Sequence, residues 1–301
     1  MKILNVLFLA ALVALVSCGS NEKETPSGMK FTVVKKGDGI LPKTGEVVVF
    51  QFRFIDSKDS VWGETTKGLP AAVLTNDSTA LVSEDGMTQM LRMVSKGDSV
   101  IVNFTVSKFF KDLVKAPVPI GVDSTRTLMY QIRIDSIMSQ DDFTTYQMEL
   151  MERQSREQMA IDDVLIDKYL TENNITAIKT ESGLRYVITQ PGTGALAQSG
   201  QTAKVNYTGY LLDGQYFDSS VQSVAEAKGL FNPMRTYEPF EVVIDQTGVI
   251  QGWHEALKLM NKGSKATFYI PSPLAYGPQQ RSAVIKENSI LVFDIEMVDV
   301  K

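Results

Sequence analysis

One cysteine, Cys18, and one histidine, His254, stand in a chain of 301 residues. A lone thiol cannot form an internal disulfide. A single histidine cannot supply the nucleophile–base triads or the metal-spaced clusters that covalent and metal-assisted catalysis require. The chemistry open to this chain is therefore non-covalent, and no metal or other cofactor is expected. Basic residues are also in deficit, with 30 Lys+Arg against 35 Asp+Glu. That balance argues against a nucleic-acid partner, whose phosphates are met by clustered positive charge. The apolar run from Ile3 to Val16, interrupted only by Asn5, is too short for a spanning helix.

Preceded by Lys2, that run has the layout of a secretory signal peptide over residues 1–17. It ends in Leu15-Val16-Ser17-Cys18, which resembles the lipobox of bacterial lipoproteins, where the peptide is cut before the cysteine and the thiol is lipidated. Several acyl chains on Cys18 would anchor the chain stably, where one chain binds only marginally. Removing residues 1–17 takes away Lys2 and no acid, so the balance becomes 29 (30 − 1) against 35, or −6. Residues 18–27, polar and containing Pro26, read as anchor and tether. The expected location is the bacterial cell envelope, lipid-anchored, at the outer membrane facing the periplasm or the cell surface. About 270 residues follow the tether, enough for two domains by the usual size prior.

The two halves repeat. Gly28, Gly37, Gly39 and Gly45 recur 155 positions later as Gly183, Gly192, Gly194 and Gly200, without a gap. Between them Met29, Phe31 and Val33 match Leu184, Tyr186 and Ile188, the period-two alternation of a half-buried strand. Met87, Met90, Leu91 and Val94 followed by Lys96-Gly97 match Trp253, Ala256, Leu257 and Met260 followed by Lys262-Gly263, a helical stripe in each half. Closing strands start at Tyr130 and Phe293. Each half is thus an α+β unit, several antiparallel strands with one short helix packed across them. The halves cover residues 28–138 and 181–301, joined over 139–180 by a segment without proline or glycine from Gln140 to about Glu172. That segment predicts a long helix in two pieces ending near Asn173-Asn174. Its Met148, Met151 and Met159 leave two readings, a spacer against one domain or a surface for self-association as a homodimer and for contact with unfolded chains.

The stretch Val249 to Met260 carries the question of function. Its apolar residues Val249, Trp253, Ala256, Leu257 and Met260 form one stripe, and Trp253 within it fits either ordinary core or the floor of an apolar pocket. Five neighbouring strings, VNYTGYLLDGQYFDSS, PFEVVID, VIQGW, MNKGSKATFYIPSPLAYG and ILVFDIEMVDV, resemble in order and near-spacing the FKBP-type peptidyl-prolyl cis-trans isomerases, in their lipoprotein, Mip-like form. The resemblance covers about residues 183 to 301. It implies a twisted antiparallel half-barrel sheet wrapped on a short helix, with a proline pocket between them.

Carried onto this chain, the resemblance makes Tyr207, Asp218, Tyr276 and Ile250 the catalytic group. Phe217, Phe240, Val249, Trp253, Ile285 and Phe293 become the walls that bind substrate. Asp218 would sit at the rim beside Tyr207; the Tyr276 hydroxyl and the Ile250 N–H would donate to carbonyls of the bound peptide. The implied partners are proline-containing unfolded or partly folded polypeptides, with macrolide-type inhibitors filling the same pocket. The sequence departs from the family in the 18-residue loop Val221 to Glu238, where Arg235 is a candidate for the expected basic residue, and at Lys286 and Glu287, which stand where many members carry prolines. His254 reads as a surface residue.

The first half, placed on the second, sets Phe52 against Tyr207, Trp62 against Phe217, Gly63 against Asp218, Met87 against Trp253 and Tyr130 against Phe293, with Phe109 or Phe110 near the Tyr276 position. Rim acid and floor tryptophan are both missing, so a degenerate, non-catalytic FKBP-like domain is expected there. The functional expectation is isomerisation of X-Pro bonds in exported proteins; the alternative is a non-catalytic chaperone or an envelope binding lipoprotein.

Overall fold

The computed structural model describes residues 21–65, 69–75 and 84–301. The signal segment and Cys18 lie outside the described residues. The chain divides between Leu150 and Met151 into two compact units.

In the first unit the strands are β1 (Glu22–Glu24), β2 (Lys30–Lys35), β3 (Val47–Asp56), β4 (Val61–Glu64), β5 (Ala71–Leu74), β6 (Ser99–Thr105) and β7 (Thr127–Met138). Helix α1 (Gly86–Leu91) precedes β6, and α2 (Val106–Phe109) follows it and runs into a π-helical turn, Phe110–Val114. The sheet is antiparallel in the order β1-β2-β6-β7-β3-β4, with β5 also paired to β3. Strand alternation puts Val48, Phe50, Val100, Val102, Ile132 and Ile134 into one apolar cluster, and the α1 stripe of Met90 and Leu91, with Val94 beyond it, closes that cluster.

Helix α3 (Gln140–Glu172) is one unbroken element of 33 residues, about 50 Å long, rather than two pieces. No proline or glycine interrupts its hydrogen-bond ladder, so nothing breaks it. Ser139 starts it by accepting the Asp142 N–H at 3.1 Å. Asn174 ends it in the left-handed region at φ 54°, with Ile175 N–H bonded to Leu170 O at 2.8 Å and Asn174 N–H to Thr171 O at 3.2 Å. This is a Schellman closure with asparagine in the glycine position. The unit boundary falls inside α3.

The second unit contains β8 (Ile178–Lys179), β9 (Arg185–Gln190), β10 (Thr202–Leu211), β11 (Tyr216–Ser219), α4 (Gln222–Ala227), β12 (Phe240–Val243), α5 (Gln251–Lys258), β13 (Lys265–Ile270) and β14 (Leu291–Val300), with a 3-10 turn at Ser272–Leu274. Its sheet runs β11-β10-β14-β13-β9-β8 with β12 also on β10, the order of the first sheet strand for strand. The duplication reaches the irregularities. Register shifts fall at Val49/Phe50 and Lys204/Val205, and at Phe54/Ile55 and Gly209/Tyr210, each pair 155 positions apart. Such bulges set local twist, so the two sheets are bent at the same places. Of the repeated glycines, Gly37 and Gly192 are required by space: an added Cβ would lie 1.9 Å from Lys96 O and 2.5 Å from Lys262 O.

Helix α5 is shorter than its apolar stripe. Val249 and Met260 lie outside Gln251–Lys258, yet both pack with Trp253, Ala256 and Leu257 in the core of the second unit. The second half of α3 also belongs to this unit: Ile166 and Leu170 pack with Tyr269, Ile290 and Val292, and the buried Arg185 donates to Asp163 at 2.5 Å and Asp167 at 2.7 Å. No helix among the described residues is long and apolar enough to cross a membrane.

Candidate active site

The site begins with a missing side chain. Gly209 on β10 pairs with Phe293 on β14, and a Cβ on Gly209 would stand 2.4 Å from the Phe217 ring and 2.8 Å from the Phe293 ring. Only glycine lets those two rings meet edge-on, at 5.5 Å between centroids. Two residues earlier on the same face, Tyr207 extends the wall. Trp253, one turn into α5, closes it from below, its ring 5.1 Å from Tyr207, 5.2 Å from Phe293 and 6.1 Å from Phe240, each near-perpendicular. Trp253 is only 4% exposed, and its indole Nε1 is buried without a hydrogen-bond partner among the described residues. Buried indoles usually find an acceptor, so this floor holds an unused donor.

At the rim, the Tyr207 hydroxyl donates to Asp218 Oδ2 at 2.5 Å. The other carboxylate oxygen takes a short hydrogen bond from Arg235 Nη1, and Arg235 Nη2 donates to the Tyr207 hydroxyl at 3.1 Å. The three side chains close a ring of charge-assisted bonds. Burial, followed by the hydrogen bond to the Asp218 carboxylate, pushes the Tyr207 phenol up to about 12, so it stays a proton donor at neutral pH. Burial works against the Arg235 charge, but its bonds to Asp218 and Tyr207 outweigh that and hold its pKa above the ordinary value.

Two further donors lack partners. Ile250 is the N-cap of α5 with no side-chain cap, and its N–H makes no hydrogen bond among the described residues. The Tyr276 hydroxyl is likewise unbonded, with the Arg281 guanidinium 5.5 Å from the ring centre. Val249, Ile250 and Tyr276 pack against the cluster that contains Tyr207, Trp253, Ile285 and Phe293, and Phe217 joins them. Phe240 stays 42% exposed, its ring 6.1 Å from Tyr207, as an outer wall. Ile285 is held inward by a folded loop in which the N–H groups of Arg281 and Ser282 donate to Ile285 O at 2.9 and 3.1 Å, and its own N–H donates to Ser282 Oγ at 2.9 Å. Lys286 and Glu287 are exposed on that loop. Its anchor at the far end is Asn288 N–H on Gly277 O at 2.7 Å.

The arrangement therefore gathers all ten sequence-selected residues of the second unit in one aromatic and apolar cluster with a polar edge. Arg235 is the member that sequence reasoning left open. Twenty residues, 220–239, separate β11 from β12, and nothing in their pattern says which basic side chain returns to the acid. His254 is half-buried, and its Nδ1 accepts the Asp245 N–H at 3.1 Å, fixing the turn after β12. No cluster of three metal-binding side chains occurs among the described residues.

In the first unit the corresponding position carries an aromatic side chain. Phe54, which pairs with Tyr130, replaces Gly209, and its buried ring lies 4.6 Å from Phe109, 5.3 Å from Tyr130 and 6.3 Å from Trp62. Trp62 is turned outward to an acid of its own, donating from Nε1 to Asp56 at 3.0 Å, with Arg126 on the same oxygen at 2.6 Å. Burial raises the Asp56 pKa, but the bonds from Trp62, the Lys58 and Ser60 N–H groups and Arg126 outweigh it and hold the carboxyl well below the usual range. Asp85 caps α1, accepting from the Met87 and Thr88 N–H groups.

Trp253 thus sits in an aromatic cluster with a paired acid at its edge and, beside it, two donors without partners among the described residues. Comparison with known proteins agrees. Residues 194–298 match the family model described as FKBP-type peptidyl-prolyl cis-trans isomerase. A probable FKBP-type peptidyl-prolyl cis-trans isomerase of Haemophilus influenzae is 44% identical over 121 residues, 40% of this chain and 44% of that protein. The FKBP-type 22 kDa peptidyl-prolyl cis-trans isomerase of Escherichia coli is 41% identical over 150 residues, 49% of this chain and 64% of its own length. The outer membrane protein MIP of Legionella longbeachae is 30% identical over 183 residues, 60% of this chain and 71% of that protein. The chain belongs to the FKBP-type peptidyl-prolyl cis-trans isomerases, while spanning less than two thirds of the length of the first two relatives.

Proposed function

We propose that the second unit is a peptidyl-prolyl cis-trans isomerase that accelerates X-Pro isomerisation in polypeptides folding in the bacterial envelope. The observation that carries the reading is the aromatic cluster around Trp253, bordered by the Tyr207–Asp218–Arg235 ring and by the Ile250 N–H and Tyr276 hydroxyl, neither of which has a hydrogen-bond partner among the described residues. Rotation about a peptide bond faces a barrier of ~18–20 kcal/mol from C–N double-bond character. The cis and trans X-Pro states themselves differ by only about 0.5–1 kcal/mol. A catalyst therefore needs no covalent step, only tighter binding of the twisted amide.

Trp253, Phe217, Phe293, Val249, Ile285 and Phe240 take the proline ring into an apolar setting that disfavours the charge-separated planar amide. Ile250 N–H and the Tyr276 hydroxyl hold flanking carbonyls so that the chain turns at proline. Asp218, kept in place by Tyr207 and Arg235, faces the rotating carbonyl region and adds an electrostatic contribution there. Macrolides that fill FKBP pockets compete for the same walls. Cys18 carries the lipid anchor, which places the chain at the outer membrane, and the first unit is a degenerate, non-catalytic domain.

A proline-limited refolding assay on the full chain tests this. The expected result is acceleration that is lost on Trp253→Ala and on macrolide addition. An unchanged rate in Trp253→Ala would overturn the site assignment.

A further inference from the structure

The turn that presents Tyr276 is tied to a residue outside the pocket, on helix α3. Asp162 is fully buried, and no cation pairs with it among the described residues. Its Oδ2 accepts both the Ser272 N–H and the Ser272 hydroxyl at 2.6 Å, and its Oδ1 accepts from Gln158 Nε2 at 2.7 Å. A buried carboxylate is costly unless its hydrogen bonds are made, so this one persists only where Ser272 stays against the helix. Ser272 in turn organises the next five residues: its carbonyl accepts the N–H groups of Ala275 and Gly277, each at 2.9 Å, which bracket Tyr276. The Tyr276 hydroxyl has no hydrogen-bond partner among the described residues, so its position depends on this turn together with the packing of the ring against the core and Arg281.

We infer that Asp162 is a positioning residue for the isomerase, holding the 272–277 turn so that Tyr276 meets the substrate carbonyl. The second half of α3, which precedes the matched residues 194–298, is then part of the working site rather than a spacer alone. The inference rests on the function proposed above.

The test uses the full chain as wild type, Asp162→Ala, Asp162→Asn, Tyr276→Phe and the Asp162→Ala/Tyr276→Phe double variant. Two quantities are measured: kcat/KM on a proline-containing peptide, and amide hydrogen exchange at Ala275 and Gly277. Asp162→Ala is expected to lower kcat/KM about tenfold and to speed exchange at those two amides about tenfold, with β10 and β14 unchanged. Asp162→Asn, which keeps an acceptor, recovers part of both. The double variant falls no further than the weaker of its two parents, because both changes remove the same interaction. Unchanged exchange at Ala275 and Gly277, losses that multiply in the double variant, or exchange rising equally across β10 and β14 would each overturn the inference. A wild-type chain without isomerase activity would instead overturn the functional reading, and exchange at the two amides would still decide whether Asp162 holds the turn.

Discussion

The two units share a strand order, two bulges at matching positions and a helix stripe across the sheet, but they differ at the mouth between sheet and helix. In the second unit Gly209 carries no side chain, and the Phe217 and Phe293 rings close over it beside Trp253. In the first, the Phe54 ring occupies the equivalent place among Phe109, Tyr130 and Trp62. The helix starts also differ: the Asp85 side chain caps the amides of α1, whereas Ile250 gives α5 no side-chain cap. The first unit places a ring at this position and a side-chain cap on its helix, and the second has neither. Sites commonly depart in this way from the locally best packing.

Exchanging residues between the units should break this contrast, with the largest effect at the floor. Trp253→Met installs the first unit's residue and should lower kcat/KM about a hundredfold, or ~2.7 kcal/mol of transition-state stabilisation, with the unit still folded by circular dichroism. Gly209→Phe moves the first unit's plug into the second. Overpacking should cost about 1–3 kcal/mol of stability in a denaturant titration, and kcat/KM should fall about thirtyfold.

Asp218→Asn should cost about tenfold in kcat/KM and should also separate Tyr207 of the second unit from Tyr130 of the first. Tyr130 is pushed up to about 12 by burial alone, Tyr207 to about 12 by burial and then by Asp218. A phenolate absorbance titration should show the Tyr207 value falling in Asp218→Asn while Tyr130 stays. Stability then depends on pH in one direction: between about pH 10 and 12 the unfolded chain loses phenol protons that the folded chain keeps, so stability falls as pH rises through that window and is unaffected below it. The smallest effect belongs to Asp85→Ala, which should remove about 1 kcal/mol from the first unit's stability and leave isomerase activity unchanged.

Much of this contrast was legible in the sequence because it rests on strictly spaced residues. The glycine register, the stripes from Met87 and Trp253 and the closing strands at Tyr130 and Phe293 each reflect a backbone demand or a period, and these determined both sheets. The residues that gather around Trp253 were picked out by motif order. What stayed hidden depends on contacts across long separations. Arg235 reaches Asp218 over a loop without period, and Asp162 meets Ser272 across 110 positions. Helix α3 was legible as a helix, but its continuity was not, since its apolar positions are intermittent and it is held by end caps and by Arg185 instead. The extent of α5 was overread because Val249 and Met260 pack with its stripe from outside its ends.

The central claim, that the second unit and not the first takes an apolar ring at its Trp253 cluster, is tested most directly by calorimetric titration of the full chain with a macrolide that fills FKBP pockets. The account predicts one molecule bound per chain, with binding lost in Gly209→Phe. Two molecules per chain, or one that survives Gly209→Phe, would contradict it.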